Sequence, residues 1–217
     1  MKSLRDIVMS RSMGAAIHSI MFRYFLRKKL PKGHCGKNSF IRTPSWINKG
    51  GLENIYLGDN CRVGNDNIIY ATGGRFIMEG NTDVSCGLRV ITGNHTREKG
   101  LWFLQTEANN VEKDVIIEKD CWLGMNVILL PGAHIGRGAT IGAGSVVTKE
   151  IPPYAIAVGN PARVIKFNFT PEEIIEHEQA LYPENERLPL ELLKKNYDMY
   201  YVDNQLSNQS EGGGVKD

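Results

Sequence analysis

The sequence predicts a mainly β chain wound as a parallel β-helix, with a helical segment at each end. Three observations carry this. From Ile117 an aliphatic residue falls on every sixth position: Ile117, Leu123, Leu129, Ile135, Ile141 and Val147. The fourth residue after each is mostly small: Cys121, Val127, Ala133, Ala139, Ser145, then Ile151. Glycine is in surplus, with 23 in 217 residues, where average usage of about 7% gives roughly 15. The glycines have no period of three and prolines number only 9, which removes collagen and proline-rich low complexity.

A period of six belongs to neither an α-helix nor a lone strand. A short strand and a turn fill one hexad, and three hexads close one coil of a prism. The aliphatic residue points inward and the small one sits near a corner. Gly58, Gly64, Gly124, Gly136 and Gly142 directly follow core aliphatics, where glycine is expected to take backbone angles that other residues resist. Stacked coils pair as parallel strands about 4.8 Å apart. No hexad buries its own core, so several coils must stack. A β-sandwich does not predict an unbroken period from Ile117 to Pro152.

The elements follow in order. Residues 3–27 read as a helix with apolar Leu4, Ile7, Val8, Ile17, Ile20, Met21, Tyr24 and Phe25, expected to cover the open end of the coil. Residues 1–37 hold nine Lys/Arg against Asp6 alone, +8 in a chain of net +2. Such a segment favours an anionic membrane surface, or is simply a solvated helix. Ser12 to Phe22 is too short to span a bilayer and no cleavage site follows, so a cytoplasmic address is the expectation, with a peripheral place at the inner membrane face as the alternative if the basic segment binds lipid. Pro31 to Gly51 reads as a loop. The β-helix domain is assigned to 38–166. Its first hexads are Leu57-Gly58, Val63-Gly64 and Ile69, and a three-residue slip precedes Met78, Val84 and Val90. The period then stops, leaving a loop over 91–114, "ITGNHTREKGLWFLQTEANNVEKDV". A C-terminal arm, 167–203, opens on the capping box Thr170-Pro171-Glu172-Glu173, with one helix to Leu181 and a second from Leu190 to Tyr200. The tail, 204–217, is expected to be disordered.

Net charge argues against a nucleic-acid binder. Cys35, Cys61, Cys86 and Cys121 form no CxxC pair and no Cys/His set with zinc spacing, so buried thiols and no metal are expected.

The stretch "IGRGATIGAGSVVTKEIPP", followed by "VGNPARVIK" and preceded by "CWLGMNVILLPGAHIG", resembles the hexapeptide-repeat acyltransferases. The branch it resembles is that of the sugar O-acetyltransferases acting on galactosides, maltose and capsular polysaccharide. The resemblance spans roughly residues 50 to 166. It implies a left-handed coil, a homotrimer with active sites between subunits, and acetyl-CoA as donor. Acetyl transfer from a thioester to a hydroxyl needs a general base and donors for the developing oxyanion. Histidine, with an ordinary pKa of about 6.5, suits the base. His95 lies in the interrupting loop, in the "TGNH" segment where the resembled enzymes carry their catalytic histidine. Attack in that family is direct, with no covalent nucleophile. His18, His34, His134 and His177 read as structural or solvated.

The resemblance further implies an acceptor-contacting asparagine at Asn65, with Asn67 a rival in "GNDN". Trp122 is implied to line the site, and the Met125 backbone N–H to meet the thioester oxygen. A carboxylate orienting His95 is implied too, and spacing does not choose between Glu98 and Glu107. Coenzyme A calls for close-approach backbone and cations: Gly142, Ala143, Gly144 and Ser145, with Thr148, Lys149 and Arg163. The implied acceptor is a sugar or glycan precursor, and the long arm and basic first helix point to lipopolysaccharide or capsule building blocks. The alternatives are an amino-sugar N-acetyltransferase, a xenobiotic acetyltransferase, or a non-catalytic β-helix scaffold.

Overall fold

The computed structural model describes residues 28–102 and 111–211; the expected helix over 3–27, Glu107 and the end of the tail lie outside these residues. The hexads wind a prism with three sheet faces. The first face runs β1 (Phe40–Ile41), β4 (Arg62–Val63), β7 (Asp83–Val84), β12 (Trp122–Leu123), β15 (Thr140–Ile141) and β17 (Ala155–Val158), all parallel, and closes on antiparallel β18 (Arg163–Phe167). The second holds β2 (Ser45–Ile47), β5 (Asn67–Tyr70), β8 (Arg89–Ile91), β13 (Ile128–Leu129) and β16 (Val146–Val147). The third holds β3 (Ile55–Asp59), β6 (Phe76–Gly80), β11 (Val115–Ile117) and β14 (His134–Ile135).

Register stacks the hexad aliphatics into columns. Ile41, Val63, Val84, Leu123, Ile141 and Ala157 line the first face, and Leu57, Met78, Ile117 and Ile135 the third. All are buried. Removing one such side chain, as in Leu123→Ala, costs about 2–5 kcal/mol.

Two expectations change at the corners. The glycines behind core aliphatics are not in left-handed conformations. They are required because a side chain would strike the next coil: a Cβ on Gly124 would lie 2.6 Å from Ala143 N, and one on Gly136 2.6 Å from Pro153 N. The left-handed positions fall two residues further on, at Asp66, Gly87, Asn126 and Gly144 on the corner between the first and second faces. Asparagine and aspartate tolerate this backbone better than other side-chain-bearing residues. The coil also begins earlier than the loop reading of Pro31 to Gly51 allows. The signal was the six-residue step from Ile41 to Ile47, hidden by the 3₁₀ turn Gly51–Asn54 inserted before Leu57.

The C-terminal arm contains α1 (Pro171–Leu181) and α2 (Leu190–Glu211). Thr170 accepts a hydrogen bond from Glu173 N while Glu173 accepts one from Thr170 N. The fully buried Glu178 anchors α1 to the last coils, bonding Arg137 Nη1 at 3.2 Å, Tyr154 Oη at 3.0 Å and Leu188 N at 2.6 Å. Helix α2 continues to Glu211, past the expected end at Tyr200 and into the segment read as a disordered tail.

Candidate functional site

The break in the repeat leaves the prism between the second and third faces as a two-stranded ribbon. Its base pairs β9 (Gly93–Asn94) antiparallel with β10 (Val111–Glu112). Beside it Asp114 accepts hydrogen bonds from Arg75 N at 2.7 Å and Arg75 Nε at 3.0 Å. The Arg75 guanidinium holds the Asp114 carboxyl below the usual carboxylate range.

His95 follows β9 and is exposed, its backbone N–H donating to Asn94 Oδ1 at 3.0 Å. It lines a cleft of about 540 Å³ with Asn94, Thr96, Lys113, Leu130, Pro131 and Thr148. Lys113 and Pro131 were missed in the sequence because nothing local links the ribbon's return strand and the next coil to His95. Glu98 lines a neighbouring hollow with Arg97, Lys99 and Trp102. The other described histidines are engaged elsewhere: His134 with Glu118 at 2.7 Å, His177 with Asp120 at 3.5 Å, and His34 stacked on Tyr56.

A second group gathers at the corner between the first and second faces. Asn65, Cys86, Met125 and Ala143 occupy the middle of the same turn in successive coils. Gly87 N, Asn126 N and Gly144 N donate to the carbonyls of Asn65, Cys86 and Met125 at 2.8, 2.9 and 2.8 Å. The neighbours of Met125 are also spent, Gly124 N donating to Ile141 O. Among the described residues the Met125 N–H has no acceptor. Trp122 and Met125 are 55% and 53% exposed, so a ligand can reach this corner.

The structure separates the two asparagines. Asn67 is 1% exposed, donates to Ser45 Oγ and Gly64 O, and accepts from Leu88 N. It is spent inside the prism, and only Asn65 faces the corner. Ser145 is corrected likewise. It is fully buried, its hydroxyl accepts from Gly159 N at 3.1 Å and its own N–H donates to Gly142 O. With Gly142 N and Gly144 N also committed, Ala143 supplies the one unspent N–H of that stretch among the described residues. Lys149 and Arg163 are exposed cations. Among the described residues no three His, Cys, Asp or Glu side chains are grouped to hold a metal, and no helix is long and apolar enough to cross a membrane.

The expected site residues therefore fall at two edges of the second face. His95 and Thr148 lie on one, Asn65, Met125 and Ala143 on the other, and Trp122 on the adjoining first face. The five steps from Met125 to Leu130, at about 3.3 Å each, make a chain span of at most about 17 Å.

The structure is a prism of hexads interrupted by a ribbon that carries His95, and the comparisons find the same repeat in other proteins. The model of the family described as bacterial transferase hexapeptide (six repeats) matches residues 114–149. A galactoside O-acetyltransferase of Lactococcus lactis is 37% identical over 134 residues, covering 59% of this chain and 60% of that protein. A chloramphenicol acetyltransferase of Klebsiella aerogenes is 34% identical over 128 residues, covering 57% and 56%. Among solved structures, a maltose O-acetyltransferase from Clostridium difficile 630 is 32% identical with TM-score 0.50, covering 58% of this chain and 64% of that one. A hexapeptide-repeat acetyltransferase from Vibrio cholerae, 24% identical, shares the fold at TM-score 0.56 over 70% and 80%. Residues 114–149 carry the hexapeptide repeat of that family, and the chain is similar to acetyltransferases over 57–59% of its length. It spans less than two thirds of the length of the curated relatives it matches.

Proposed function

We propose that the chain is an acetyl-CoA-dependent O-acetyltransferase acting on a hydroxyl of a sugar or glycan precursor. The observation that carries this is His95, held on a ribbon at the wall of a cleft that also contains Thr148. The imidazole takes the proton of the acceptor hydroxyl as its oxygen attacks the thioester carbonyl. The unspent N–H of Met125 meets the oxyanion that forms there. Asn65 contacts the acceptor and Trp122 lines its seat. Ala143 and Gly144 give coenzyme A a close approach, while Thr148, Lys149 and Arg163 meet its phosphates. The relatives named for galactoside and maltose O-acetylation support a sugar hydroxyl as the target.

The same reading takes the coil as left-handed and the working unit as a homotrimer. The two groups lie at opposite edges of the second face rather than in one hydrogen-bonded constellation, so in this reading the ribbon of one subunit serves the corner of the next. The outward side of the second face supports self-association. Trp46, Ile68, Tyr70 and Ile91 are all 38–48% exposed there, and the Trp46 and Tyr70 rings lie 4.8 Å apart.

The test is coenzyme A release from acetyl-CoA with methyl β-galactoside, maltose and capsular oligosaccharides as acceptors. His95→Ala should lower kcat by about 10²–10⁴-fold without lowering the thermal midpoint. Full turnover in that variant with an active acceptor would sink the reading. A chain that binds no coenzyme A by calorimetry would instead be a scaffold.

A further inference from the structure

We propose that Cys86 is a positioning residue for the acceptor: its thiol fixes the side-chain amide of Asn65 so that an N–H faces the substrate. The inference rests on the assignment of Asn65 as the acceptor contact. Its own evidence is the geometry of the corner. Cys86 Sγ lies 2.9 Å from Asn65 Oδ1, and Asn65 Nδ2 donates to Asp66 Oδ2 at 2.5 Å. A thiol offers a hydrogen and an amide oxygen offers only lone pairs. The two contacts therefore select the same orientation of the amide. Turning it over would aim Nδ2 at the sulfur and set Oδ1 against the Asp66 carboxylate, two acceptors face to face. With Oδ1 held by the thiol and one Nδ2 hydrogen on Asp66, the second Nδ2 hydrogen is left for a ligand.

The backbone holds this pair in place. Gly87 N donates to Asn65 O and Asn126 N to Cys86 O, so the thiol sits one coil from Asn65 on one side and from Met125 on the other. Gly64 lets the coils approach this closely, since a Cβ there would lie 2.7 Å from Cys86 N. Asn65 and Cys86 are both half-buried, so the pair borders the solvent where Met125 also opens. An amide presented N–H first recognises an oxygen lone pair. An ammonium, which has none, gains nothing there.

A double-mutant cycle tests this, with coenzyme A release measured on maltose and methyl β-galactoside. Cys86→Ala should raise the sugar KM about fivefold, the worth of one ordinary hydrogen bond, and leave the acetyl-CoA KM unchanged. Cys86→Ser, which keeps a donor, should restore it. Because Cys86 acts through Asn65, the double variant with Asn65→Ala should match Asn65→Ala alone. Additive effects, or a silent Cys86→Ala, overturn the proposal while leaving the transferase assignment standing. A silent Asn65→Ala defeats the acceptor contact itself, and the proposal with it. A measurement independent of turnover follows the Asn65 side-chain NH₂ by NMR. Its two hydrogens should shift in Cys86→Ala and return in Cys86→Ser, and an unchanged signal overturns the proposal.

Discussion

At Met125 the proposed chemistry needs only a backbone hydrogen. The residues on either side donate to neighbouring coils, while the Met125 N–H does not. Replacing Met125 by proline therefore removes the oxyanion donor without breaking a hydrogen bond among the described residues. Met125→Pro should lower kcat by about 10²-fold, with far-ultraviolet circular dichroism unchanged, and Met125→Ala should stay close to wild type. A Met125→Pro variant of full activity would remove the N–H from the mechanism. Residues of this kind were only partly legible in the sequence. The break in the repeat marked out the segment that holds His95, and the structure sets that side chain beside a cleft. The choice between Asn65 and Asn67 was not legible. The two residues share one short segment, and only the fold turns Asn67 inward onto Ser45 and Leu88. Ser145 misled for a different reason, since two readings of the same residues competed. "GAGS" reads as a backbone cradle, yet the hexad phase sends the serine hydroxyl into the prism.

Among the elements, the ribbon carrying His95 is tied to the coil by Asp114 and Arg75. The guanidinium lowers the Asp114 pKa in the folded chain. Its contribution is therefore present above the unfolded carboxylate value of about 3.9 and is lost as pH falls through the folded one. Asp114→Asn keeps an oxygen for the Arg75 N–H and loses the ion pair. Amide protection factors across 111–115 should then fall several-fold at neutral pH and no longer decline as the pH is taken below 4. Unchanged exchange would mean that the ribbon is held by its β9–β10 pairing instead. The corners give a second element-scale expectation. A Cβ on Gly124 meets the backbone of Ala143, which cannot swing aside as a side chain can. Gly124→Ala should cost about 1–3 kcal/mol in chemical denaturation. The same change at Gly144, where nothing lies within 4 Å, meets only the left-handed backbone and should cost about 1 kcal/mol.

For the whole molecule, the period of six was enough to read the coil, because each hexad places its aliphatic residue by the same geometry. Every one from Ile117 to Val147 is buried. The first coil was less legible, since an inserted 3₁₀ turn breaks the phase between Ile47 and Leu57. What one chain's sequence could not convey is the distance between the two edges of the second face, since residues adjacent in a family motif need not meet within one subunit. This separation makes the trimer testable by complementation. Two chains, one carrying His95→Ala and the other Met125→Pro, are coexpressed with different tags and purified through both. Each variant alone should be inactive. In mixed trimers some ribbons with an intact His95 face corners with an intact Met125, even though no single chain has both. Every mixed head-to-tail ring, two-to-one or one-to-two, holds such a junction at about one site in three, so about a third of wild-type kcat should return. The apolar outward face supplies the control: Ile68→Asp should weaken assembly in light scattering and abolish the recovery. Mixed trimers that stay inactive would mean that His95 and Met125 act within one chain, which requires the ribbon to fold back across the second face.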